Sequence, residues 1–380
     1  MRRALPVLCA LAAGTLAAVA ATPAAAQGFG AGPTATPSAA RAAPAESTTA
    51  AVRNRNWKAP RTSWGDPSFE GTWSTDDMRS VPTQRPETFG TRATLTPEEF
   101  QQRASRDEGG KELATNRETF LRNEWGIRTF GYTSLVVDPP NGRVPEMTAA
   151  GKARAGNRDR GTFGPGPFNA FQDFSLYDRC ITRGVLGSTL PVIYGNGMRI
   201  IQNPGSVAIS YEMIHDTRII PIGNRQHLED GVRQYMGNSR GHWEGDTLVV
   251  ETQNFSANTS IGANGNGTRH SEALTLTERF TRVDPDMIKY TATVNDPVAY
   301  TAPFTFRLMI TTQPNYDVLE YSCHEGNGAV GHALSGERTF DREVADAIAK
   351  GLTPPKRTEG LGIYGRPGEG AEVFDINAGE

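Results

Sequence analysis

The 380-residue sequence is poor in several things that would have made its chemistry easy to read. It has only three cysteines and five tryptophans, and aromatic residues make up 8% of the chain. No Gly-x-x-x-x-Gly-Lys-Ser/Thr loop, Cys-x-x-Cys pair or His-Glu-x-x-His helix occurs, so the usual phosphate cradle, redox pair and zinc-protease spacing are all missing. No net charge of either sign stands out, because 39 Lys and Arg oppose 42 Asp and Glu. The formal charge of −3 becomes −5 if Arg2 and Arg3 leave with a leader. A mildly acidic chain has no attraction for phosphate backbones, so nucleic acid is not expected as a partner.

The one sustained apolar stretch, Ala4 to Ala21, follows Arg2-Arg3 and ends in Thr22-Pro23-Ala24-Ala25-Ala26. A basic start, a short Ala-rich apolar region and small residues before a polar one form a secretory signal, cleaved between Ala26 and Gln27. Residues 1–26 are therefore a leader, the expected location is periplasmic or secreted, and no stable membrane insertion is expected after cleavage. Cys9 leaves with the leader. Cys180 and Cys323 remain, and in an oxidising compartment they invite one disulfide that closes a loop of roughly 140 residues and adds about 4 kcal/mol.

What the sequence has in excess is Gly (41) and Pro (25), distributed unevenly. Residues 27–60 are Ala, Pro, Thr and Ser with almost no large apolar side chain, the composition of a disordered tether. Residues 61–185 read as an irregular mixed segment wrapping the core. It contains a short strand at Phe69 to Ser74, a helix starting at Pro97 with Thr96 as cap and fading near Gly109-Gly110, and a strand at Thr133 to Val137. From 186 to 340, short strands follow one another with turn residues between them and no helices. They are Met198–Gln202, Val207–Met213, Arg218–Ile222, two within His242–Thr252, Leu274–Val283, Met287–Val294, Phe304–Thr311 and Val318–Cys323. This spacing predicts a mainly β fold, an antiparallel barrel or sandwich, lipocalin-like, with an irregular, partly helical N-terminal half. Residues 341–380 read as a short helix, Asp341 to Lys350, and a loose tail.

Two catalytic signatures match in letters alone. Gly237-Asn238-Ser239-Arg240-Gly241 leads into a strand where a nucleophile elbow needs a helix. Gly360-Leu361-Gly362-Ile363-Tyr364-Gly365 has no strand before it and no helix after it. The chemistry then falls to histidines and carboxylates. Imidazole titrates near neutrality, and a His steadied by a carboxylate is the commonest acid-base device. If Val207 to Arg218 were one strand, Tyr211, Met213 and His215 would share an apolar face, with Glu212, Asp216 and Arg218 opposite. His215 is the expected base, His270 or His227 the acid, Glu272 a nearby carboxylate, and Arg218 the holder of negative charge developing on oxygen. Tyr211, Glu325 and Asn254 are the expected substrate contacts. No short zinc spacing links any pair of histidines, so no metal site is assigned, and no cofactor is implied.

The run Glu212-Met213-Ile214-His215-Asp216-Thr217-Arg218, then Arg225-Gln226-His227, then Trp243-Glu244-Gly245-Asp246-Thr247-Leu248-Val249-Val250-Glu251-Thr252 resembles a large family of exported bacterial proteins known mostly as hypothetical. His270-Ser271-Glu272, Glu278-Arg279-Phe280, Asp296-Pro297 and Tyr321-Ser322-Cys323-His324-Glu325 extend the resemblance, which spans Trp64 to Asn327. Gly71-Thr72-Trp73 also resembles the Gly-x-Trp opening of lipocalins. The resemblance implies export and a β-rich body, and counterparts in that family for His215, Arg218, His227, His270 and Glu272. His242 is often Arg in the family pattern and is set apart from the site candidates.

The functional expectation is a lyase or hydrolase using His/carboxylate chemistry on a small hydrophobic or glycosidic molecule. The alternative is a non-catalytic periplasmic carrier of an apolar ligand in a barrel cavity. Either way the partner is a small molecule. Mass mapping of the exported protein is expected to find Gln27 as first residue and, without reductant, the Cys180 peptide joined to that of Cys323; an intact leader or two free thiols would contradict this reading.

Overall fold

The structure, a computed structural model, describes residues 57–116, 126–155, 168–192, 194–263, 268–312 and 316–356. The leader, most of the tether, the Gly360–Gly365 motif and the tail lie outside the described residues. The body is an antiparallel sheet of ten strands, nearly closed into a barrel, so the mainly β expectation holds.

Six strands form three hairpins at the turns expected: β3 (Gly197–Asn203) with β4 (Ser206–Tyr211), β6 (Asn238–Glu244) with β7 (Thr247–Gln253), and β10 (Thr275–Asp284) with β11 (Met287–Asn295). Period-two burial sets the inward face. Ile288, Tyr290, Ala292 and Val294 are buried on β11, and Val207, Ile209 and Tyr211 on β4. Strands β5 (Thr217–Pro221) and β12 (Phe304–Thr311) complete the 186–340 set.

That set is not a barrel by itself, a correction to the expected division at 186. β1 (Gly71–Ser74) lies between β3 and β12, and β2 (Val136–Asp138) pairs with β12. The segment expected merely to wrap the core therefore supplies two strands of the sheet. Trp73 of the Gly-x-Trp triplet is 1% exposed, and its indole Nε1 donates to the Phe69 carbonyl at 2.8 Å. Asp77, just after β1, accepts from the Ile127 and Arg128 amides and from Thr311 Oγ1, which fastens the N-terminal half to β12.

Helix α1 (Pro97–Asn116) begins as expected, with a reciprocal capping box. The Glu99 amide donates to Thr96 Oγ1 at 3.3 Å and the Thr96 amide to Glu99 Oε2 at 2.8 Å. It continues through Gly109-Gly110, where it was expected to fade. The remaining helices are α2 (Ala149–Ala155), α3 (Gly184–Thr189) and α4 (Ala329–Ala349). α4 starts twelve residues earlier than read from the sequence and buries none of its residues. Val318–Cys323 is not a strand. Nor is Val207–Arg218 continuous: it breaks at Glu212 into a tight turn, Met213–His215, with positive φ at Ile214 and His215. The break turns Arg218 inward beside Ile209, its register partner, instead of opposite it.

The sheet ends, β5 and β6, meet at a single parallel bridge between Ile222 and Gly241. Gly241 gives the seam room there: a Cβ would stand 2.6 Å from Ile222 Cδ1, the movable end of that side chain, and 3.0 Å from Ile220 Cγ2. Inside the barrel the seam is reinforced by polar atoms. Arg218 of β5 donates through Nε to Ser239 Oγ of β6 at 2.9 Å, through Nη2 to Thr252 Oγ1 of β7 at 3.1 Å, and through both terminal nitrogens to Glu278 of β10. Tyr290 of β11 donates to Glu278 Oε1 at 3.0 Å. Burial opposes the charge on Arg218, but the Glu278 carboxylate outweighs it and raises the guanidinium above its ordinary value.

Removing one member of such a buried pair strands the other charge, which costs about 3–5 kcal/mol, whereas replacing both with apolar residues of similar volume is near neutral. Denaturant unfolding is expected to show that loss for Arg218→Met and most of it recovered in Arg218→Met/Glu278→Leu; equal stabilities for the single and double variants would refute the coupling.

Candidate active site

The candidate site lies outside the barrel interior, where residues 174–196 lie across the β4–β5 turn and the small two-stranded sheet β8 (Ser260–Ile261) and β9 (Thr268–Arg269). Each turn of this segment has a local cause. Ser175 and Asp178 bond reciprocally, Oγ to Oδ2 at 2.9 Å and amide to Oγ at 3.0 Å. Cys180 takes positive φ and is joined to Cys323 in the expected disulfide, with Cα atoms 5.6 Å apart. Thr182 Oγ1 donates to Asp216 Oδ2 at 2.7 Å and accepts from the Gly184 amide at 3.0 Å. Gly184 opens α3 at φ +73°, where a Cβ would press on Thr259.

These turns leave a small pocket of about 10 Å³, room for roughly one water, whose wall includes Ser175, Tyr177, Thr182, Arg183, Thr259 and Arg269. Arg183 is 1% exposed, donates to the Gly195 carbonyl at 3.3 Å and lies 5.5 Å from the Tyr177 ring. Burial lowers its guanidinium to about 10, and the groups acting on it favourably are three phenols, Tyr177, Tyr194 and Tyr321. Burial likewise raises Tyr177 and pushes Tyr194 and Tyr321 up to about 12, so at neutral pH these phenols are uncharged dipoles.

Thr259 Oγ1, also on the wall, is hydrogen-bonded to His270 Nε2. The other ring nitrogen, Nδ1, faces the Ser271 carbonyl at 2.9 Å. A carbonyl only accepts, so Nδ1 carries the proton and Nε2 is the acceptor for the Thr259 hydroxyl. Asp296 takes the Ser271 amide at 2.6 Å and its hydroxyl at 2.7 Å, and so holds the carbonyl that orients the imidazole. Burial lowers His270 to about 4, against the opposing pull of the Ser271 carbonyl and Asp296. The resting imidazole is neutral.

The other expected residues do not join this group. His215 is exposed, with Nδ1 3.1 Å from the Tyr321 carbonyl. His227 sits in the loop before β6, with Nδ1 3.2 Å from Asn238 Oδ1. The three histidines thus bond to three different parts of the chain and not to one another. Glu272 pairs at the surface with Arg233 at 3.2 Å, not with a histidine. Arg218 and Tyr211 belong to the barrel interior, Arg218 held by Glu278 and the Tyr211 hydroxyl 3.3 Å from Thr189 Oγ1. Glu325 is exposed in the turn after Cys323. Asn254, at φ +60°, spends its amide on the Leu228 and Glu229 carbonyls. Phe168 stacks on Phe174 and fastens its own loop. Among the described residues no group of three His, Cys, Asp or Glu is gathered to hold a metal.

Arg183 and Thr259 are what sequence reasoning missed. Arg183 stands three residues beyond Cys180, and a buried cation beside a disulfide is a faint signal; Thr259 has none, since its partner is eleven residues away across β8 and β9. The chain matches no protein-family model, no curated protein and no solved structure.

The His270 shift has a definite sign. Between about 4 and the ordinary 6.5 the unfolded chain binds the proton and the folded one does not, so this contribution is complete above about 6.5 and is lost as pH falls toward 4, about 3 kcal/mol in all. Asp76 and Asp178, each raised to about 6 by burial, act oppositely over nearly the same window and mask it in total stability. The difference between wild type and His270→Gln is therefore expected to shrink by about 3 kcal/mol between pH 7 and pH 4; a pH-independent difference would contradict a neutral buried imidazole.

Proposed function

We propose that the protein is an exported enzyme of hydrolase type that cleaves a small ester in the cleft at Arg183 and Thr259. The observation that carries this reading is the Thr259 hydroxyl, placed between the cleft and the free Nε2 of a neutral, oriented imidazole. In the acylation step the Thr259 proton passes to His270 Nε2 as Oγ1 bonds to the acyl carbon. The departing alcohol then takes that proton from Nε2 as its bond to carbon breaks. Water then gives a proton to Nε2 as its oxygen bonds to the acyl carbon, and that proton passes to Thr259 Oγ1 as the bond to the acyl carbon breaks and the acid leaves. Ser271 and Asp296 position the base throughout, the carbonyl fixing the tautomer and the carboxylate favouring the imidazolium as it forms.

A base lowered to about 4 is weak, so the relay suits esters with a good leaving group. Export is part of the same proposal, supported by the leader-like residues 1–26 and by a disulfide that fits an oxidising compartment. The carrier reading puts its ligand within the barrel, where inward positions hold core side chains and the Arg218–Glu278 network, and for this reason the enzymatic reading is preferred.

Mature protein is expected to hydrolyse p-nitrophenyl acetate, Thr259→Ser to retain turnover, and Thr259→Val to lose roughly 100-fold or more in kcat/KM. The rate should hold as pH falls to about 5, with an acid limb near 4. Absence of turnover at any enzyme concentration, or full activity in Thr259→Val, would overturn the proposal.

A further inference from the structure

Residues 316–356 are attached to the body without belonging to its core: none of them is buried, helix α4 included. The segment is fastened by one covalent bond, Cys180–Cys323, and by polar contacts on either side of it. Tyr316 donates its hydroxyl to the Glu212 carboxylate, and the Leu319 amide donates to Glu212 Oε1 at 3.2 Å. The Tyr321 carbonyl lies 3.1 Å from His215 Nδ1, and Asn327 Nδ2 donates to the Asp178 carbonyl at 3.0 Å. Polar contacts near solvent are weak beside a covalent link between positions 143 residues apart.

The segment is fastened to strained backbone. Among the described residues, four that are not glycine have positive φ, and three of them, Cys180, Ile214 and His215, lie in the two stretches it holds. Such a conformation at a β-branched residue like Ile214 persists only where the surroundings impose it. The same stretches form the pocket wall: Tyr177, Thr182 and Arg183 flank Cys180, and Thr182 is bonded to Asp216 beside the turn. The Tyr321 ring packs 6.4 Å from that of Tyr194, next to Arg183. Held in this way, the pocket has room for roughly one water, less than any ester needs. The disulfide itself is asymmetric. Cys180 is buried and Cys323 half-buried, so an incoming thiolate meets the Cys323 sulfur first. The Cys180 sulfur accepts from Asn327 Nδ2 at 3.2 Å, a donor that stabilises charge on it as it leaves.

We propose that Cys180–Cys323 is an exchangeable disulfide that latches residues 316–327 as a strap against the pocket wall, and that reduction by a dithiol frees the strap and opens the pocket. A thiolate of the dithiol bonds to Cys323 Sγ as the disulfide breaks, and Cys180 leaves as a thiolate and takes up a proton. The second thiolate of the dithiol attacks the reductant's own sulfur in the mixed disulfide, and Cys323 leaves in the same way. The dithiol is oxidised to a disulfide, and its two protons end on the two cysteines. The effect on turnover rests on the pocket being the active site; the latch does not.

The test uses the full mature chain. Dithiothreitol under native conditions is expected to speed hydrogen exchange in residues 319–327 and 213–216 by about tenfold or more, while β10 and β11 keep their protection. Brief treatment with glutathione and an acid quench should leave the mixed disulfide on the Cys323 peptide. The Cys180→Ala/Cys323→Ala variant, shown to fold by its melting curve and assayed without thiol, should turn over p-nitrophenyl acetate about threefold faster or more than the oxidised protein. Unchanged exchange after reduction, loss of β10 and β11 protection together with that of the strap, or a mixed disulfide on Cys180 would overturn the proposal. A freed strap with measurable but unchanged turnover would refute the opening of the pocket and leave the hydrolase reading standing. A freed strap with no turnover in either form would uphold the latch and remove the hydrolase reading instead.

Discussion

Closure of the barrel depends on an ion pair that no strand-pairing rule would supply. The sheet meets itself through one parallel bridge, Ile222 to Gly241, and a single bridge is weak restraint for two strand edges. Arg218 and Glu278 add side-chain bonds that run from β5 across the seam to β6, β7 and β10, with Tyr290 extending them to β11. In the dry interior these bonds are strong, and each partner is costly without the other. The pair therefore works less as added stability than as a register condition. The seam closes where Arg218, Ser239, Thr252 and Glu278 all find their partners, and a slip of one residue would turn Arg218 to solvent and leave Glu278 buried alone.

The candidate site belongs to the surroundings of that barrel. Residues 174–196 are shaped by positive-φ positions at Cys180, Gly184 and Gly195, and the turn they meet is shaped by Ile214 and His215. Backbone in this region is costly for residues with a Cβ, and its concentration where two segments form a cleft fits a functional role. The disulfide ties the same place to the C-terminal segment, so Tyr321 lies within the phenol cluster beside Arg183. Rigid walls matter to a hydroxyl and imidazole that must stay aligned.

The sequence was informative where structure follows from neighbours. Alternation on β10 and β11, the turns Glu244-Gly245-Asp246 and Asp284-Pro285-Asp286, and the Thr96/Glu99 capping box all arise within a few residues, and all are present. It misled where a local pattern was extended too far. Val207 to Arg218 alternates well enough for a single strand, yet two residues at positive φ break it and change the face on which Arg218 lies. Val318 to Cys323 reads as a strand by composition, but the chain there is bound to Glu212 and Cys180 in place of a sheet edge. Among the histidines, His270 is the one buried against a side-chain hydroxyl, and its partners, Thr259 and the Ser271 carbonyl backed by Asp296, are not legible from adjacency.

The residues alone determined a mainly β body, its hairpins and the pairing of Cys180 with Cys323, because period-two burial, turn chemistry and cysteine count are local or compositional properties. Tertiary structure decided that β1 and β2 complete the sheet, that Arg218 braces the barrel, and that Thr259 lines one pocket with Arg183 while bonding to His270 behind it. Those outcomes depend on contacts between segments tens to hundreds of residues apart, where burial and charge compensation are settled by the whole fold and not by any stretch of it.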